Sequence, residues 1–218
     1  MSALARYFKT LGKEVAGYDR TCTLLTRKLE SEGIPVTYHE DIQEVPAAFL
    51  TDPSATLVIF TPAVPESHKA LQWFREHRFQ VIKRSDLLGV VFNLSRGVAI
   101  AGTHGKTTVS TLTAWLLHNG GKRISAFLGG ISKNFHSNLV LTSESEFVVA
   151  EADEFDRSFL KLFPSIAVFT SMDPDHLDIY KTYEAVKNAF FEFAENIKPG
   201  GILVLREGLP IREIVAKE

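Results

Sequence analysis

Residues 98–109 read Val-Ala-Ile-Ala-Gly-Thr-His-Gly-Lys-Thr-Thr-Val. An apolar run breaks into a loop bounded by glycines, and the loop ends in Gly105-Lys106-Thr107-Thr108. A strand, a loop and a helix in this order form a socket for nucleotide phosphates, because loop amides and a helix N-terminus carry partial positive charge. A lysine here reaches the outer phosphates, and the hydroxyl after it can bind the accompanying magnesium. The stretch therefore predicts a nucleotide site within an α/β fold.

The spacing of this loop is shorter than that of the strict phosphate-binding pattern. That pattern has a glycine five residues before Gly105, where this chain has Ile100, and the nearer glycine is Gly102. The alternative without a binding role is a strand-to-helix turn that merely contains glycine and lysine. We expect Thr103 and His104 to shape the loop rather than react. The candidate nucleotide-binding residues are Gly102, Thr103, His104, Gly105, Lys106, Thr107 and Thr108.

Composition excludes several classes of protein. The chain has 218 residues, of which 45% are hydrophobic and 23% charged, as in a soluble globular protein of one or two domains. A formal net charge of −2 without blocks of like charge predicts no nucleic-acid or membrane partner. The single cysteine, Cys22, fits a reducing cytoplasm, and no apolar stretch is long enough to span a bilayer. We therefore expect a cytoplasmic protein.

Helix-like and strand-like segments alternate along the chain, which indicates an α/β architecture with mostly parallel strands. A domain boundary is expected near 88–96, just before the strand of the nucleotide loop. Before it, the patterns predict helices at 2–11, 22–32 and 66–78 and strands at 14–18, 56–60 and 79–82. After it, they predict helices at 107–118 and 182–197 and strands at 147–151, 166–170 and 202–205.

Two of these helices carry a recognisable apolar face. In residues 107–118 the expected buried positions are Val109, Leu112 and Leu116, with Trp115 beside them. In residues 182–197 the apolar side is longer and aromatic. Its members are Tyr183, Val186, Phe190, Phe193 and Ile197.

Acidic residues follow the strand predicted at 147–151. Sheets of this class place ligand-binding groups at the carboxyl ends of their strands, and Glu151 is the first acid after the buried run. Glu151 is therefore assigned to magnesium, directly or through water. The next acids, Asp153, Glu154 and Asp156, fit a solvated acidic turn better than a site.

A second polar loop, residues 170–178, follows the strand predicted at 166–170. It places three acids around His176, a set that can hold a second hard cation or orient a substrate carboxylate. The alternative role for His176 is a capping or hydrogen-bonding one. Its position after a nucleotide loop and an acidic strand end favours the functional role.

These three motifs, in this order, resemble those of the Mur ligase family, the ATP-dependent amide-forming enzymes of peptidoglycan precursor synthesis. The resemblance rests on residues 102–108, on Glu151-Ala-Asp-Glu-Phe-Asp156 and on Asp175-His176-Leu-Asp178. In addition, residues 16–19 and 61–65 resemble segments of the family's UDP-sugar domain. Residues 129–132, Gly-Gly-Ile-Ser, resemble its substrate-facing loop.

The resemblance implies a Rossmann-like, parallel-sheet UDP-sugar domain at residues 1–92 and a P-loop-type α/β ATPase domain at 93–218. Both domains look incomplete by comparison with the family. The family's first strand with its glycine-rich turn and its C-terminal ligase domain have no counterpart in these 218 residues. We therefore expect that the 218-residue chain alone does not catalyse ligation.

The resemblance also implies roles for single residues. Lys106 would bind the β- and γ-phosphates of ATP, Thr107 and Glu151 one Mg²⁺, and His176 a second Mg²⁺ near the substrate carboxylate. The catalytic set would then be Lys106, Glu151 and His176. The histidine in the loop and the Glu-Ala-Asp-Glu run are most similar to the family member that joins L-alanine to UDP-N-acetylmuramate.

Two alternatives remain open at this point. One is the recycling member of the family, which joins a ready-made tripeptide to the same UDP-sugar. The other is a nucleotide-binding module without catalysis. The sequence leaves the oligomeric state open as well.

Overall fold

The computed structural model describes residues 1–142, 144–175 and 177–211. The chain divides into two compact units, one from Met1 to Leu87 and one that begins at Leu88. Each unit alternates helices with strands, and most of the strands run parallel. The α/β fold class expected from the sequence is therefore confirmed.

The first unit contains two strand–helix–strand repeats, each of which closes a two-stranded parallel sheet. In each repeat the helix provides the crossover that parallel strands require. The elements are α1 (Ser2–Thr10), β1 (Gly17–Tyr18), α2 (Leu24–Ser31), β2 (Val36–Thr37), β3 (Leu57–Phe60), α3 (Lys69–Glu76) and β4 (Gln80–Lys83). Helix α4 (Arg84–Asn93) follows, and short 3₁₀ turns lie at Ile42–Glu44 and Ala47–Phe49.

The second unit is built on a six-stranded sheet. Its elements are β5 (Arg96–Ala101), α5 (Lys106–Asn119), β6 (Ile124–Ser132), β7 (Ser137–Val140), β8 (Phe147–Ala152), β9 (Ile166–Phe169), α6 (Leu177–Tyr180), α7 (Tyr183–Glu195) and β10 (Ile202–Leu205), with a 3₁₀ turn at Ser158–Lys161. The strand order is β10-β9-β5-β8-β6-β7, and only the β6–β7 pair is antiparallel. Strand β5 therefore lies inside the sheet between β8 and β9, so their carboxyl ends meet at one edge.

The core of this unit packs between the sheet and its helices. One cluster joins β5, β6, β8 and α5 through seven buried side chains: Val98, Ile100, Ala114, Ile124, Ala126, Leu128 and Val149. On α7, the side predicted to be apolar is buried at Val186, Phe190 and Phe193. The phenyl rings of Phe190 and Phe193 pack edge-on, tilted or stacked against Phe159 and Phe169. The prediction for this helix is confirmed.

The prediction for the face of α5 was wrong at Leu112 and Leu116, whereas Val109 packs against the core cluster as expected. Leu112 and Leu116 are 52% and 61% exposed, whereas Ser110 and Ala114 are fully buried. Small side chains lie against the sheet because α5 packs closely on β6 and β8, and a leucine would not fit at those positions. The predicted helix itself is present.

The patterns also missed α4 and the β6–β7 hairpin, and they overextended the first strand, which comprises only Gly17 and Tyr18. Residues 129–132, expected to form a loop, lie in the last part of β6 instead. In the part of the chain that the structure describes, no helix is both long and apolar enough to cross a membrane.

Candidate functional site

The loop between β5 and α5 depends on the backbone freedom of two glycines. Gly102 has a φ of +144° and Gly105 a φ of +84°, in the region that side chains disfavour. At Gly102 a Cβ atom would also lie 2.1 Å from Thr170 Oγ1, so the loop and the end of β9 are in close contact. Any larger residue at Gly102 would separate them.

Helix α5 begins without a side-chain cap. Gly105 occupies the N-cap position and has no side chain to accept from the first amides, which belong to Lys106, Thr107 and Thr108. Uncapped amides at a helix N-terminus carry partial positive charge and favour an anion in front of them. This end of α5 is therefore arranged as an anion site.

Thr103 and His104 are fixed by the end of β9. The backbone amide of His104 donates to Ser171 Oγ over 2.7 Å, and the Thr103 hydroxyl lies 2.9 Å from the same oxygen. Thr170 Oγ1 donates to the carbonyl of His104, and the Asp173 amide donates to Thr103 Oγ1. The side chain of His104 itself is 69% exposed, with Nδ1 3.5 Å from Asp173 Oδ2.

The carboxylate of Glu151, at the end of β8, accepts hydrogen bonds from neutral donors. Oε1 accepts from the Gly129 amide over 2.6 Å and from Ser110 Oγ over 3.2 Å, and Oε2 accepts from Thr107 Oγ1 over 3.2 Å. We call this group (Thr107, Ser110, Gly129 and Glu151) the hydroxyl side. The structure thus brings together Thr107 and Glu151, the two residues that the sequence assigned to one magnesium ion.

The hydroxyl side has the chemistry of a magnesium site that is shared with phosphates. Magnesium in such sites takes one or two carboxylates and completes its shell with water and phosphate oxygens. Within the described ranges, no cluster of three or more histidine, cysteine or acidic residues forms an all-protein cage. One carboxylate and one hydroxyl at the mouth of an anion site fit the ion.

Lys106 reaches back across the loop instead of extending outward. Its Nζ lies 2.7 Å from the carbonyl oxygen of Gly102 and 2.9 and 2.8 Å from the two carboxylate oxygens of Glu154. We call this group (Gly102, Lys106 and Glu154) the lysine side. The interpretation of Glu154 as part of a solvated turn was wrong, because its side chain is fully buried and ion-paired.

The backbone of Glu154 is held by a buried phenol. Tyr180, 6% exposed, donates its hydroxyl to the carbonyl of Glu154. Burial raises the pKa of Tyr180 to about 12; the Arg157 guanidinium opposes this change, and the Glu154 carboxylate adds to it. Tyr180 therefore stays a neutral donor at physiological pH. The neighbouring acids are less buried than Glu154, because Asp156 is exposed and Asp153 is half-buried.

His176, expected to bind a second cation, lies outside the described residues, as do the side chains of the two residues after it. The part of that loop before it supplies the contacts of Thr170, Ser171 and Asp173 with the nucleotide loop. The role of Ser110 was not identified from the sequence, although a serine one turn after Lys106 was a usable signal. Gly129 and Ser171 lie within motifs noted from the sequence, but their hydrogen bonds to Glu151 and to the nucleotide loop were not predicted.

An open cleft of about 500 Å³ lies beside the loop. Its walls come from the nucleotide loop, from the start of α5 and from the carboxyl ends of β9 and β10. They include His104, Val109, Phe169 and Arg206. This volume lies within the range of small-molecule sites.

Comparison with known proteins covers both units. Residues 100–218 match the Mur ligase middle domain, and residues 1–96 match the model described as Mur ligase family, catalytic domain. The UDP-N-acetylmuramate–L-alanine ligase of Phocaeicola vulgatus is 52% identical over 212 residues, which are 97% of this chain and 46% of the relative. That of Christiangramia forsetii is 50% identical with the same coverage. The chain thus spans about half the length of these relatives.

Solved structures agree with the fold. The UDP-N-acetylmuramate:L-alanyl-gamma-D-glutamyl-meso-diaminopimelate ligase from Neisseria meningitides superposes with a TM-score of 0.86 at 26% identity, over all of this chain and 71% of the other. The UDP-N-acetylmuramate-alanine ligase from Thermotoga maritima gives a TM-score of 0.84 at 25% identity, over 97% of this chain and 47% of the other.

Proposed function

Because this chain belongs to the Mur ligase family, we propose that it carries two domains of an ATP-dependent amide ligase. Residues 1–92 would bind the UDP-sugar and residues 93–218 would bind ATP. The reaction would join L-alanine to UDP-N-acetylmuramate, the activity that the names of relatives at about 50% identity state. Its partners would be small molecules in the cytoplasm, with no nucleic acid and no membrane.

The observation that carries this proposal is the arrangement around Lys106, Thr107 and Glu151. An uncapped helix end, a lysine and a hydroxyl–carboxylate pair within 3.2 Å converge at the carboxyl edge of one sheet. The amides of residues 102–108 would hold the phosphates of ATP, and Lys106 would bind the β- and γ-phosphates. The cleft lined by His104 and Arg206 would receive the nucleoside.

The chemistry follows from the poor electrophilicity of a carboxylate. Transfer of the γ-phosphoryl group of ATP to an oxygen of the lactyl carboxylate forms an acyl phosphate and releases ADP. The amine of L-alanine then attacks the acyl carbon, the C–O bond to phosphate breaks, and an amide and inorganic phosphate result. Lys106 and the loop amides would stabilise the negative charge that gathers during the transfer.

Thr107 and Glu151 would hold a magnesium ion, which when bound neutralises phosphate charge. Gly129 and Ser110 would orient the Glu151 carboxylate, because their hydrogen bonds restrict its rotation. His176 would bind a second magnesium ion next to the substrate carboxylate. This last assignment rests on the motif alone.

In the first unit, the two motifs that resemble UDP-sugar segments lie at or directly after strands. Residues 16–19 include β1, and residues 61–65 begin directly after β3. Tyr18 of the first motif contacts His68, three residues after the second motif, and their ring centroids lie 4.4 Å apart. This proximity supports a shared ligand site at the carboxyl ends of β1 and β3.

A second candidate is the ligase that attaches a tripeptide to the same UDP-sugar. The fold similarity to the Neisseria meningitides enzyme favours it, since that superposition covers the whole chain. The twofold higher sequence identity to the L-alanine ligases of Phocaeicola vulgatus and Christiangramia forsetii supports the first candidate more strongly.

A ligation assay tests the proposal. The assay compares the 218-residue chain with an extended chain, in which the parts of the Phocaeicola vulgatus relative outside the aligned region are added at the matching ends of this one. We expect the extended chain to release phosphate from ATP in the presence of UDP-N-acetylmuramate and L-alanine, and the 218-residue chain to release none. MgADP affinity of the 218-residue chain, measured by calorimetry, serves as the check that its nucleotide site is folded.

The acceptor decides between the candidates. Phosphate release with the tripeptide but not with L-alanine would replace the first candidate by the second. Nucleotide binding without release for either acceptor would instead indicate a non-catalytic module.

A further inference from the structure

The carboxylate of Glu154 has no part in the mechanism above, yet it is the most buried acid among the residues that the structure describes. Among the acidic side chains whose burial the structure describes, only that of Glu154 is buried, at 0% exposure. A buried carboxylate is costly unless it is paired, and its partner here is the ammonium group of Lys106. The lysine that we expect to bind the nucleotide phosphates is therefore ion-paired with Glu154.

The contacts of Lys106 account for its full hydrogen-bonding capacity. An ammonium group has three protons, and Nζ lies within 2.9 Å of three acceptor oxygens, one from Gly102 and two from Glu154. The Lys106 side chain is 16% exposed, so solvent competes little with these acceptors. A phosphate oxygen can gain a proton of this ammonium only if one of the three acceptors gives way.

We propose that Glu154 is a positioning residue that holds Lys106 inside the nucleotide socket and competes with the nucleotide phosphates for its ammonium group. This inference rests on the proposed ATP site. It adds a residue that lowers nucleotide affinity while it keeps the lysine folded back and its charge neutralised. The position of Glu154 is in turn fixed by the hydrogen bond from Tyr180 to its carbonyl.

The competition has a direct consequence for affinity. When a binding group is held in an incompetent position for most of the time, the measured dissociation constant rises by the inverse of the competent fraction. Glu154→Gln keeps the length of the side chain and one acceptor oxygen but removes the charge that holds the ammonium. We expect this variant to bind MgADP about 5- to 10-fold more tightly than the wild type. Structural damage to the socket would change affinity in the opposite direction.

The first experiment measures MgADP affinity by calorimetry in the 218-residue chain. The matched control is Asp156→Asn, which removes an exposed acid two residues away and keeps the Asp156 oxygen that accepts from the Ser158 amide. We expect the control to bind within about twofold of the wild type, because exposed charges are screened. If Glu154→Gln and Asp156→Asn both bound MgADP more tightly by the same factor, the effect would come from the lower net negative charge, and the inference would be overturned.

A second experiment reports on Lys106 without any nucleotide. The rate at which an acetylating reagent modifies Lys106 is followed by mass spectrometry, with the exposed Lys13 as internal reference. Release from Glu154 should make Lys106 react several-fold faster in Glu154→Gln, whereas Asp156→Asn should leave the rate unchanged. MgADP should slow the acetylation of Lys106 in the wild type and in Glu154→Gln.

The outcomes separate the inference from the proposed function. Nucleotide binding by the wild type, with no gain in a folded Glu154→Gln variant, would overturn the competition and leave the ATP site standing. No nucleotide binding by either protein would overturn both. An unchanged acetylation rate in Glu154→Gln would show that the ion pair does not hold Lys106 and would also overturn the inference.

Discussion

The hydroxyl side and the lysine side each place one carboxylate at the end of β8, but the two carboxylates bind opposite kinds of partner. Glu151, on the hydroxyl side, is half-buried and accepts from an amide and two hydroxyls, all neutral. Glu154, on the lysine side, is fully buried and paired with a cation. The charge of Glu151 therefore remains available to a metal ion, whereas that of Glu154 is already compensated. The charge of the donors distinguishes the two roles.

The largest effect should come from removing the cation of the lysine side. Lys106→Met preserves much of the side-chain volume but leaves the Glu154 carboxylate buried without its ammonium partner. We expect a loss of about 3–5 kcal/mol in the free energy of unfolding, measured by urea titration with circular dichroism. The control Lys13→Met alters an exposed lysine and should stay within about 0.5 kcal/mol of the wild type.

The double variant makes this prediction specific to the pair. Lys106→Met combined with Glu154→Gln contains neither buried charge and should recover most of the stability lost in Lys106→Met. If Lys106→Met were as stable as Lys13→Met, the Glu154 carboxylate would not depend on the Lys106 cation, and the electrostatic contrast between the two sides would be contradicted.

On the hydroxyl side, the expected effect falls on activity rather than stability. Glu151→Gln keeps an oxygen for the Gly129 amide but removes the charge that attracts magnesium. We expect phosphate release by the extended chain to fall by at least about 100-fold, more than the loss typical of residues that merely support a metal ligand. Glu195→Gln, an exposed acid at the end of α7, is the control and should retain full activity. Retention of activity in Glu151→Gln would remove this residue from the proposed magnesium site.

Two adjacent glycines allow a finer test of the hydroxyl side. A Cβ atom at Gly129 would lie 2.5 Å from Glu151 Oε2, whereas at Gly130 its nearest neighbour would be Thr107 Cγ2 at 3.7 Å, an ordinary contact. Gly129→Ala should therefore displace the carboxylate, and the magnesium concentration needed for half-maximal ADP binding should rise by about 10-fold. Gly130→Ala should leave it unchanged. Equal behaviour of the two variants would contradict the proposed role of the Glu151 position.

The sequence allowed most of the fold and one of the two sides to be predicted. Strands β5, β8, β9 and β10 appear as short apolar runs, and α7 shows helical periodicity, because both reflect local burial. The association of Thr107 with Glu151 also follows from a general rule, because the carboxyl ends of parallel strands meet at one edge of the sheet. Glu151 lies near the carboxyl end of β8, and Thr107 lies in the helix that follows β5.

The lysine side could not be predicted because nothing in the acidic run 151–156 distinguishes its buried acid, Glu154, from the less buried acids beside it. The strand-end rule that links Thr107 with Glu151 does not extend to Glu154, which lies two residues beyond β8. The buried face of α5 was missed for a related reason: close packing on the sheet selects Ser110 and Ala114 by size, against the order of hydrophobicity. Pattern analysis ranks residues by polarity and does not detect either effect.

The smallest expected effect concerns the support of the lysine side by Tyr180, and this support is lost at high pH. The folded state keeps the Tyr180 proton up to a pKa of about 12, whereas an unfolded tyrosine loses it near its ordinary pKa of about 10. Between these values the folded state binds more protons, so the free energy of unfolding should decrease as pH rises. Tyr180→Phe has no proton to lose, but it also lacks the hydrogen bond to Glu154, which contributes about 1 kcal/mol. We therefore expect wild type to exceed Tyr180→Phe in stability by about that amount at pH 8, and the difference measured by urea titration to shrink from pH 10 to 12. A difference that stays constant over this range would mean that the Tyr180 hydroxyl does not hold the lysine side in place.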